Sequence, residues 1–405
     1  MAKERFGLVN GPDWYNTPLD QLHFEWSPEE KLELERYCEK IHKNIAEDEM
    51  TPLERYWATI NGKEKDRLFI ITRALHSYAS KTLDSNADAI KPMDIYNHPK
   101  LQVKEQLALT ARFGFDWVGP YPVSYTEECW GGKATLGEYT HPQMLEGMHP
   151  VKTMADLEGI EVPDPKKDGL YPGYLWAYYE MKKILIEYDL YDKIVFYSSV
   201  SPDTVSVAWL GLMNMNDFML ATQRDPELAK GCVELADEWF IRFSQALKET
   251  GAHGIWCCYG PGIFRLEGNE WMADHYARTC RAVVDTDFPG YFGFGLPADL
   301  LWLDLLVEKG VMGPGGYSGW AASAEVDYKK LIDGARKYDL FTATAALPRQ
   351  VMTGPISEFE EDIKQRCEYA KTHPKAAIGV YSIDFATPQH HVEAAVNACK
   401  KYGKY

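Results

Sequence analysis

The sequence predicts a single α/β domain that folds as an eight-stranded (β/α)8 barrel, a TIM barrel, with an N-terminal helical extension. From residue 51 onward, eight short apolar runs alternate with longer amphipathic segments. Most of these runs are continuously apolar, which is typical of strands that are buried on both faces. Strands that alternate with helices predict a parallel sheet, and eight strands within about 320 residues fit a closed barrel.

Local signals along the chain place the individual elements. Residues 1–50 form the extension, in which Ser27 is predicted to cap a helix and Glu30 to complete a capping box, and residues 51–405 form the barrel. Asp225 is predicted to cap the longest helix. The strands are predicted at Arg67–Thr72, Trp117–Tyr121, Ile194–Ser198, Gly254–Cys258, Gly290–Phe294, Gly310–Pro314, Leu340–Ala345 and Ala377–Ser382, and three of the helices at Asp225–Thr250, Glu270–Val284 and Glu358–Thr372.

A doubly wound α/β sheet is the alternative architecture. It is disfavoured because no strand is followed by a GxGxxG turn and no GxxxxGK[ST] motif occurs. The glycine-rich segments 260–262 and 313–316 are therefore interpreted as turns rather than phosphate-binding loops. Residues 122–190 show little strand signal and are predicted to extend over the mouth of the barrel.

Charge and apolar patterning exclude several classes of protein. Asp plus Glu total 60 against 43 Lys plus Arg, and the net charge of -17 argues against a nucleic-acid partner. No apolar run reaches the ~18 residues that a membrane helix needs, and the charged N-terminus lacks the apolar region of a signal peptide. Eight cysteines without a CxxC pair fit reduced thiols. We therefore expect a cytoplasmic protein with no membrane partner.

Aromatic residues are the most distinctive part of the composition. The chain contains 25 Tyr and 12 Trp, and many of them fall at predicted loop positions. One interpretation is a core that is rich in aromatic side chains. The other is a pocket whose walls stack on a flat or apolar ligand.

Three segments carry a family resemblance. Thr51-Pro52-Leu-Glu-Arg55, followed by Asp66-Arg67 and a strand, resembles the opening of the uroporphyrinogen decarboxylase family, with Thr51 placed to cap a helix that begins at Pro52. The segment 250–254, Thr-Gly-Ala-His-Gly, is similar to the family's turn into a middle strand. The segment 387–394, Thr-Pro-Gln-His-His-Val-Glu-Ala, resembles the closing helix. The resemblance covers residues 50–403 and implies the barrel fold.

The resemblance implies one of two branches, uroporphyrinogen decarboxylases or corrinoid-linked methyltransferases. Decarboxylases carry an FMRQAGR motif after the first strand, whose arginines hold the substrate carboxylates. Residues 70–78 of this chain contain a single arginine, Arg73. The decarboxylase aspartate after the second strand also has no counterpart in residues 119–125. Both departures disfavour decarboxylation of a tetrapyrrole that carries eight carboxylates.

Thiol-activating methyltransferases of the family bind zinc through an HxCG motif and a later cysteine. In this chain Phe292 and Phe294 stand where the histidine and cysteine would be, and the later position falls within residues 345–347, Ala-Ala-Leu. The remaining branch is the O-demethylating methyltransferases, which pass the methyl group of an aryl methyl ether to a Co(I) corrinoid. Such chemistry needs a site for a flat ring and an acid or Lewis acid at the ether oxygen.

Candidate site residues follow from the rule that barrel enzymes react at the C-terminal ends of their strands. Asp384, after the last strand, is the leading candidate to assist the leaving oxygen, with Glu128 and His76 as further catalytic candidates. Each also has a structural reading, respectively a helix cap, a solvated loop residue and a structural histidine. Glu128 and Cys258 are candidate metal ligands. Candidates to bind the ring or its substituents are Tyr121, Tyr125, Tyr259, Phe292, Phe294, Tyr317, Trp320, Arg349 and Tyr381.

The expected partners follow from the resemblance. The corrinoid (cobalamin) is expected on a corrinoid-binding partner protein, zinc is optional, the substrate is a small methoxylated aromatic, and a homodimer is left open. Three alternatives stay open as well. They are a uroporphyrinogen-type decarboxylase, a corrinoid methyltransferase with a non-aromatic methyl donor, and a non-catalytic binding barrel.

Overall fold

The structure, a computed structural model, is an α/β fold in which helices connect parallel strands. It describes residues 7–74, 78, 82–83, 90–120, 127–137, 143–200, 204–259, 271–284, 287–294, 301–310, 320–321 and 327–405. The strands are β1 Gly7–Leu8, β2 Ile70–Ala74, β3 Trp117–Val118, β4 Lys133–Thr135, β5 Gln143–Met144, β6 Val195–Val200, β7 Gly254–Tyr259, β8 Gly290–Phe294, β9 Trp320–Ala321, β10 Thr342–Ala346 and β11 Ala376–Ile383.

Helices fill most of the chain between these strands. Short 3-10 turns lie at Leu19–Gln21 and Glu127–Trp130, and one π-helical turn spans Ala208–Leu212. The α-helices are α1 Pro28–Ile45, α2 Pro52–Ile60, α3 Pro92–Asn97, α4 Pro99–Phe113, α5 Met154–Glu158, α6 Tyr171–Glu187, α7 Thr204–Val207, α8 Met215–Arg224, α9 Pro226–Glu249, α10 Trp271–Val283, α11 Leu301–Glu308, α12 Tyr328–Lys337, α13 Pro348–Thr353, α14 Ile356–Ala370 and α15 Gln389–Tyr402.

Eight strands form two four-stranded sheets in which every pair is parallel. Their orders are β9-β10-β11-β2 and β3-β6-β7-β8, while β1, β4 and β5 form a small separate sheet. In the part of the chain that the structure describes, no backbone ladder joins the two larger sheets. A side-chain hydrogen bond does, because the Trp117 indole of β3 donates to the Thr72 carbonyl of β2. The α/β class is therefore confirmed, and closure into one barrel stays a prediction.

Seven of the eight predicted strands overlap an observed strand, and Gly290–Phe294 coincides with β8. The sixth is wrong at Gly310, which has a φ of +70° directly after α11. This left-handed conformation ends a helix and does not belong to a strand. Residues 311–314 lie outside the described residues, and the strand in this part of the chain is β9, Trp320–Ala321.

The predicted helix starts are confirmed by their hydrogen bonds. The Ser27 hydroxyl accepts from the Glu30 amide at 3.2 Å, and the Glu30 carboxylate accepts from the Ser27 amide at 2.9 Å. Thr51 caps α2 in the same reciprocal manner with Glu54. Asp225 accepts from the Leu228 amide at the start of α9. The capping box satisfies two amide donors that the first helical turn leaves without partners.

Helix α6 was not predicted, although it is one of the most buried helices. It begins with Tyr171-Pro172-Gly173, and its apolar and aromatic residues lie around most of its circumference. Such a helix lacks the one-sided apolar stripe by which amphipathic helices are recognised. The N-terminal segment packs on it, since the Trp26 indole donates to the Glu180 carboxylate at 2.9 Å.

Many of the aromatic residues form the core, as the first of the two interpretations predicts. Trp239 stacks on Phe243 with 5.5 Å between ring centroids, and Tyr171 lies 5.0 Å from the same ring. All three side chains are buried. Close aromatic pairs of this kind add to the stabilisation from burial itself. They lie between α6 and α9, on the outer side of the second large sheet.

Two further features bear on the composition. The seven cysteines whose side chains the structure describes are buried. In the same described ranges, no helix combines the length and the apolar character that crossing a membrane requires.

Candidate functional site

A cavity lies where the carboxyl-terminal halves of β2, β3 and β6 meet the middle of β7. Its volume is about 30 Å³, within about 440 Å³ of empty space that includes the part open to solvent. Clefts outside the carboxyl ends of parallel strands are where α/β proteins commonly bind ligands. The residues that line it are Thr72, Ala74, Gln106, Phe115, Trp117, Val118, Gly119, Pro120, Tyr197, Ser198, Ser199 and Trp256.

Aromatic rings held by hydrogen bonds form the walls of this cavity. Trp117 packs on Tyr197 with 4.8 Å between ring centroids, and its indole also lies 3.2 Å from the Thr72 hydroxyl. The Tyr197 hydroxyl donates to the Ile255 carbonyl at 2.9 Å. Because each ring has a polar anchor, these walls are preorganised for a flat ligand.

The close approach of β3 and β6 requires glycine at position 119. A Cβ atom there would lie 2.0 Å from the Tyr197 carbonyl oxygen. This separation is far below van der Waals contact, so no other residue fits without moving a strand. Gly119 therefore sets the spacing of the two strands at the cavity.

Two tyrosines of α6 hold the ends of these strands together. The Tyr178 hydroxyl donates to the Pro120 carbonyl at 2.5 Å and accepts from the Ser199 amide at 3.0 Å. The Tyr174 hydroxyl lies 2.9 Å from that of Tyr178 and 3.1 Å from the Ser199 carbonyl. Burial raises the pKa of Tyr178, so its hydroxyl keeps its proton and remains a donor. These hydroxyls therefore provide hydrogen-bond partners for backbone groups at the ends of β3 and β6, where the pairing between the two strands has ended.

The two serines of β6 differ in their surroundings. The Ser198 hydroxyl donates to the Gly254 carbonyl at 2.9 Å, a bond that connects β6 to β7. The Ser199 hydroxyl is buried and has no hydrogen-bond partner among the described residues.

The described lining contains no carboxylate, amine or imidazole. Its polar side-chain groups are hydroxyls, one amide and two indoles. Transferring a charged group into such surroundings without a counter-charge is costly. The cavity therefore suits an uncharged ligand with an apolar ring and few hydrogen-bonding groups.

A buried ion network lies at the opposite, amino-terminal ends of β2 and β3. Arg67 donates to Asp116 at 2.7 and 2.8 Å and to Asp48, while Arg55 contacts Asp116 at 3.0 Å and Asp66 at 2.7 Å. Burial alone would raise the pKa of Asp116, but the adjacent guanidinium groups outweigh it and hold this pKa below its usual value. The arginines of the family-like opening are thus structural.

An aspartate–histidine pair lies outside the cavity, between α9 and α10. The fully buried Asp237 carboxylate is 2.6 Å from Nδ1 of His275. Burial raises the pKa of Asp237 despite this partner. Neither residue lines the cavity, and the pair joins two helices on the outside of the sheet.

The structure describes two predicted site residues completely. Asp384 directly follows β11 and is exposed, and its Oδ1 accepts from the Ala386 amide at 3.2 Å. This bond stabilises the turn that leads to α15, although the cap position of that helix is Pro388. Arg349 is exposed in the first turn of α13. Neither lines the cavity, so their catalytic and binding roles stay predictions.

The remaining predicted residues are described only by their backbone or not at all. Tyr259 of β7 is directly opposite Phe294 of β8 in the sheet register, which brings these two candidates to adjacent strands. The others with a described backbone but no described side chain are Glu128, Cys258, Phe292, Trp320 and Tyr381. His76, Tyr121, Tyr125 and Tyr317 lie outside the described residues.

The residues of the cavity walls were not predicted from the sequence, because the candidate site residues were chosen among those that follow the strands. Thr72, Trp117 and Tyr197 lie within predicted strands, and so does Trp256. Interior positions recur every second residue along a strand, and a search at that spacing finds Tyr197 within a predicted strand and Ser199 directly after its end.

The described part of the chain contains no set of side chains that could bind a metal ion. Within those ranges, no group of three or more His, Cys, Asp or Glu side chains is arranged to hold a metal ion. Zinc sites in proteins need three or four such ligands. The side chains of the predicted ligands Glu128 and Cys258 lie outside this description, so zinc stays a prediction.

Comparison with known proteins identifies the family of this α/β chain. The family model described as uroporphyrinogen decarboxylase (URO-D) matches residues 51–259. The chain belongs to the uroporphyrinogen decarboxylase family. The matched region contains the ion network apart from Asp48, the tyrosine pair and all the described residues that line the cavity.

A similar solved structure supports the fold. A methyltransferase from Methanosarcina mazei has a TM-score of 0.70 and 18% sequence identity, and the match covers 87% of this chain and 99% of that chain. A B12-independent methionine synthase from Shewanella sp., in complex with selenomethionine, has a TM-score of 0.47 and 10% identity, covering 76% of this chain and 87% of that one. No curated protein matches the sequence.

Proposed function

We propose that this protein is the methyltransferase component of an O-demethylase. It would move the methyl group of a methoxylated aromatic compound to the Co(I) corrinoid of a partner protein. The observation that carries this proposal is the uncharged, aromatic-walled cavity at the carboxyl ends of β2, β3 and β6. A cavity of this kind accepts a flat ring and gives no anchor for several carboxylates.

The proposal includes a closed eight-stranded (β/α)8 barrel with its mouth at these strand ends. Three observations support it. Both large sheets are parallel, β2 and β3 are linked by the Trp117 indole, and the chain belongs to a family for which the resemblance implies a barrel. A parallel sheet that closes on itself leaves no exposed edge, which favours closure over two open sheets.

The protein would bind and orient the ring and supply a proton to the departing oxygen. Trp117, Tyr197 and Trp256 would hold the ring. The corrinoid, when its carrier protein is docked at the mouth, supplies the nucleophile that accepts the methyl group. As the methyl–oxygen bond breaks, Asp384, Glu128 or His76 would protonate the phenolate oxygen, which otherwise leaves poorly. We assign no step to zinc.

A decarboxylase function is the second candidate within the family, and it fits less well. Its substrate carries eight carboxylates, whereas the described cavity lining has no basic side chain. The segment 70–78 also has one arginine where the decarboxylase motif has two. A cytoplasmic location and a homodimer are parts of the proposal that rest on the sequence alone.

The proposal is tested with the purified protein, a reduced corrinoid protein and a panel of methoxylated phenols that includes guaiacol. We expect catechol release from guaiacol, followed by chromatography, together with the spectral change of corrinoid methylation. A Trp256→Ala variant should lose most of this activity while folding normally by circular dichroism. Absence of phenol release across the panel, or decarboxylation of uroporphyrinogen instead, would reject the proposal.

A non-catalytic binding barrel is tested by the same assay. Alanine substitutions at Asp384 and Glu128 should lower catechol release if either residue protonates the leaving oxygen. Variants that bind guaiacol but release no catechol identify the proton donor. If the wild-type protein binds guaiacol and releases no catechol, the binding barrel is favoured.

A further inference from the structure

The Ser199 hydroxyl of the cavity has no hydrogen-bond partner in the part of the chain that the structure describes. Ser199 is only 5% exposed, lines the cavity, and its Oγ has no hydrogen-bond partner among the described residues. The backbone of the same residue is fully engaged, because its amide donates to the Tyr178 hydroxyl and its carbonyl accepts from Tyr174. The side chain is therefore held in place with its hydrogen-bonding capacity unused.

A buried hydroxyl that makes no hydrogen bond destabilises the protein as long as no ligand is bound. A buried hydroxyl without a partner costs free energy comparable to a lost hydrogen bond. Folded proteins satisfy nearly all such groups, so an exception calls for a cause. The adjacent Ser198 follows the rule, since its hydroxyl bonds to the Gly254 carbonyl at 2.9 Å.

The surroundings of Ser199 indicate what the missing partner is. Trp117, Tyr197 and Trp256 supply apolar ring surface, and the described lining residues carry no formal charge. The Trp117 and Tyr197 polar atoms are already bonded to Thr72 and Ile255. A ligand that completes this site needs a flat uncharged ring with an oxygen that reaches the serine hydroxyl.

We propose that Ser199 determines the substrate class by hydrogen bonding to an oxygen on the ring of a neutral phenolic methyl ether. The inference rests on the proposed function and names the substrate of the same site. It also predicts that methoxybenzoates bind weakly, because their carboxylate would enter the cavity without a counter-charge. The phenol oxygen that lies beside Ser199 fixes the direction in which the methoxy group points.

The test compares two ligands of similar shape by isothermal titration calorimetry. Guaiacol carries a hydroxyl next to its methoxy group, and 2-methylanisole carries a methyl group in its place. We expect the wild-type protein to bind guaiacol about five- to tenfold more tightly, as one hydrogen bond provides. Ser199→Ala should remove this preference and leave 2-methylanisole binding unchanged.

Thr250→Val is the matched control, because it removes a buried hydroxyl that bonds to the Leu247 carbonyl and does not line the cavity. It should lower the unfolding temperature and preserve the guaiacol preference. The inference is overturned if Ser199→Ala retains the preference, if Thr250→Val abolishes it equally, or if the wild-type protein binds guaiacol no better than 2-methylanisole. It is also overturned if 2-methoxybenzoate binds as tightly as guaiacol.

The two proposals fail in different ways. The predicted binding pattern without methyl transfer would support the Ser199 contact and reject the methyltransferase function. Methyl transfer with unaltered guaiacol binding in Ser199→Ala would reject the Ser199 contact alone.

Discussion

At the scale of single residues, the cavity depends on positions where one atom more or less changes its shape. Gly119 lies against the Tyr197 carbonyl, and Ser199 presents a hydroxyl that its neighbour Ser198 does not. Neither residue is a charged or metal-binding side chain of the kind that a sequence search for functional groups selects. Their importance comes from the distance to a neighbouring strand.

We expect Gly119→Ala to disrupt the cavity. Its Cβ would lie 2.0 Å from the Tyr197 carbonyl oxygen, so β3 and β6 must separate. Overpacking of this kind costs about 1–3 kcal/mol of unfolding free energy, measured by urea denaturation, and guaiacol binding should weaken in parallel. Gly159→Ala is the control, because the nearest atom to its Cβ would be a carbonyl oxygen at 3.6 Å. Equal losses in the two variants would contradict this explanation.

At the scale of elements, His253 connects β6 to β7 at their beginnings. Its amide donates to the Phe196 carbonyl at 2.7 Å, and its Nδ1 accepts from the Phe196 amide at 3.0 Å. An acceptor at Nδ1 requires the neutral ring with its proton on Nε2. Burial lowers the pKa of His253 to about 4, against its usual value of 6.5.

This lowered pKa predicts a loss of stability in acid. Between pH 6.5 and 4 the unfolded chain takes up a proton that the folded protein excludes. The contribution is therefore complete above pH 6.5 and is lost as the pH falls towards 4, by up to about 3 kcal/mol. His253→Asn offers an amide oxygen to the Phe196 amide and does not titrate, so urea denaturation should show a smaller pH dependence in this window.

The exposed His23 provides the control for that measurement. His23→Asn should retain the pH dependence of the wild-type protein. If both variants follow the wild-type curve, His253 does not titrate in this range, and the acid sensitivity arises from carboxylates instead.

At the scale of the whole molecule, the buried ion network joins segments that are far apart in sequence. Asp48 precedes α2, Arg55 lies within it, Arg67 precedes β2 and Asp116 precedes β3. The network thus connects the start of one large sheet to the start of the other. Charges at the amino-terminal ends of the strands leave the carboxyl ends free for ligand binding.

Removing one partner of this network should destabilise the entire fold. Arg55→Met leaves Asp116 and Asp66 with an incomplete set of counter-charges at buried positions. Such a loss costs about 3–5 kcal/mol of unfolding free energy, measured by urea denaturation. Lys183→Met removes a surface ion pair to Glu180 and should cost less than about 1 kcal/mol. Similar costs for both would show that the network contributes little.

Much of the fold could be predicted because its signals are local. Continuous apolar runs locate β6, β7, β8 and β11, and the caps at Ser27, Thr51 and Asp225 depend on residues within four positions. Helix α6 and strand β9 escaped prediction for the opposite reason. The first is apolar on nearly all sides, and the second is two residues long, so neither has a local pattern.

The sequence by itself determined the α/β class, most of the strands and the family. These follow from periodicity and from short motifs, which are read along the chain. Only the tertiary structure decided which side chains share the cavity. Trp117 and Tyr197 are 80 positions apart, and Arg55 and Asp116 are 61 apart. Their contacts depend on the pairing and register of strands, which no local pattern specifies.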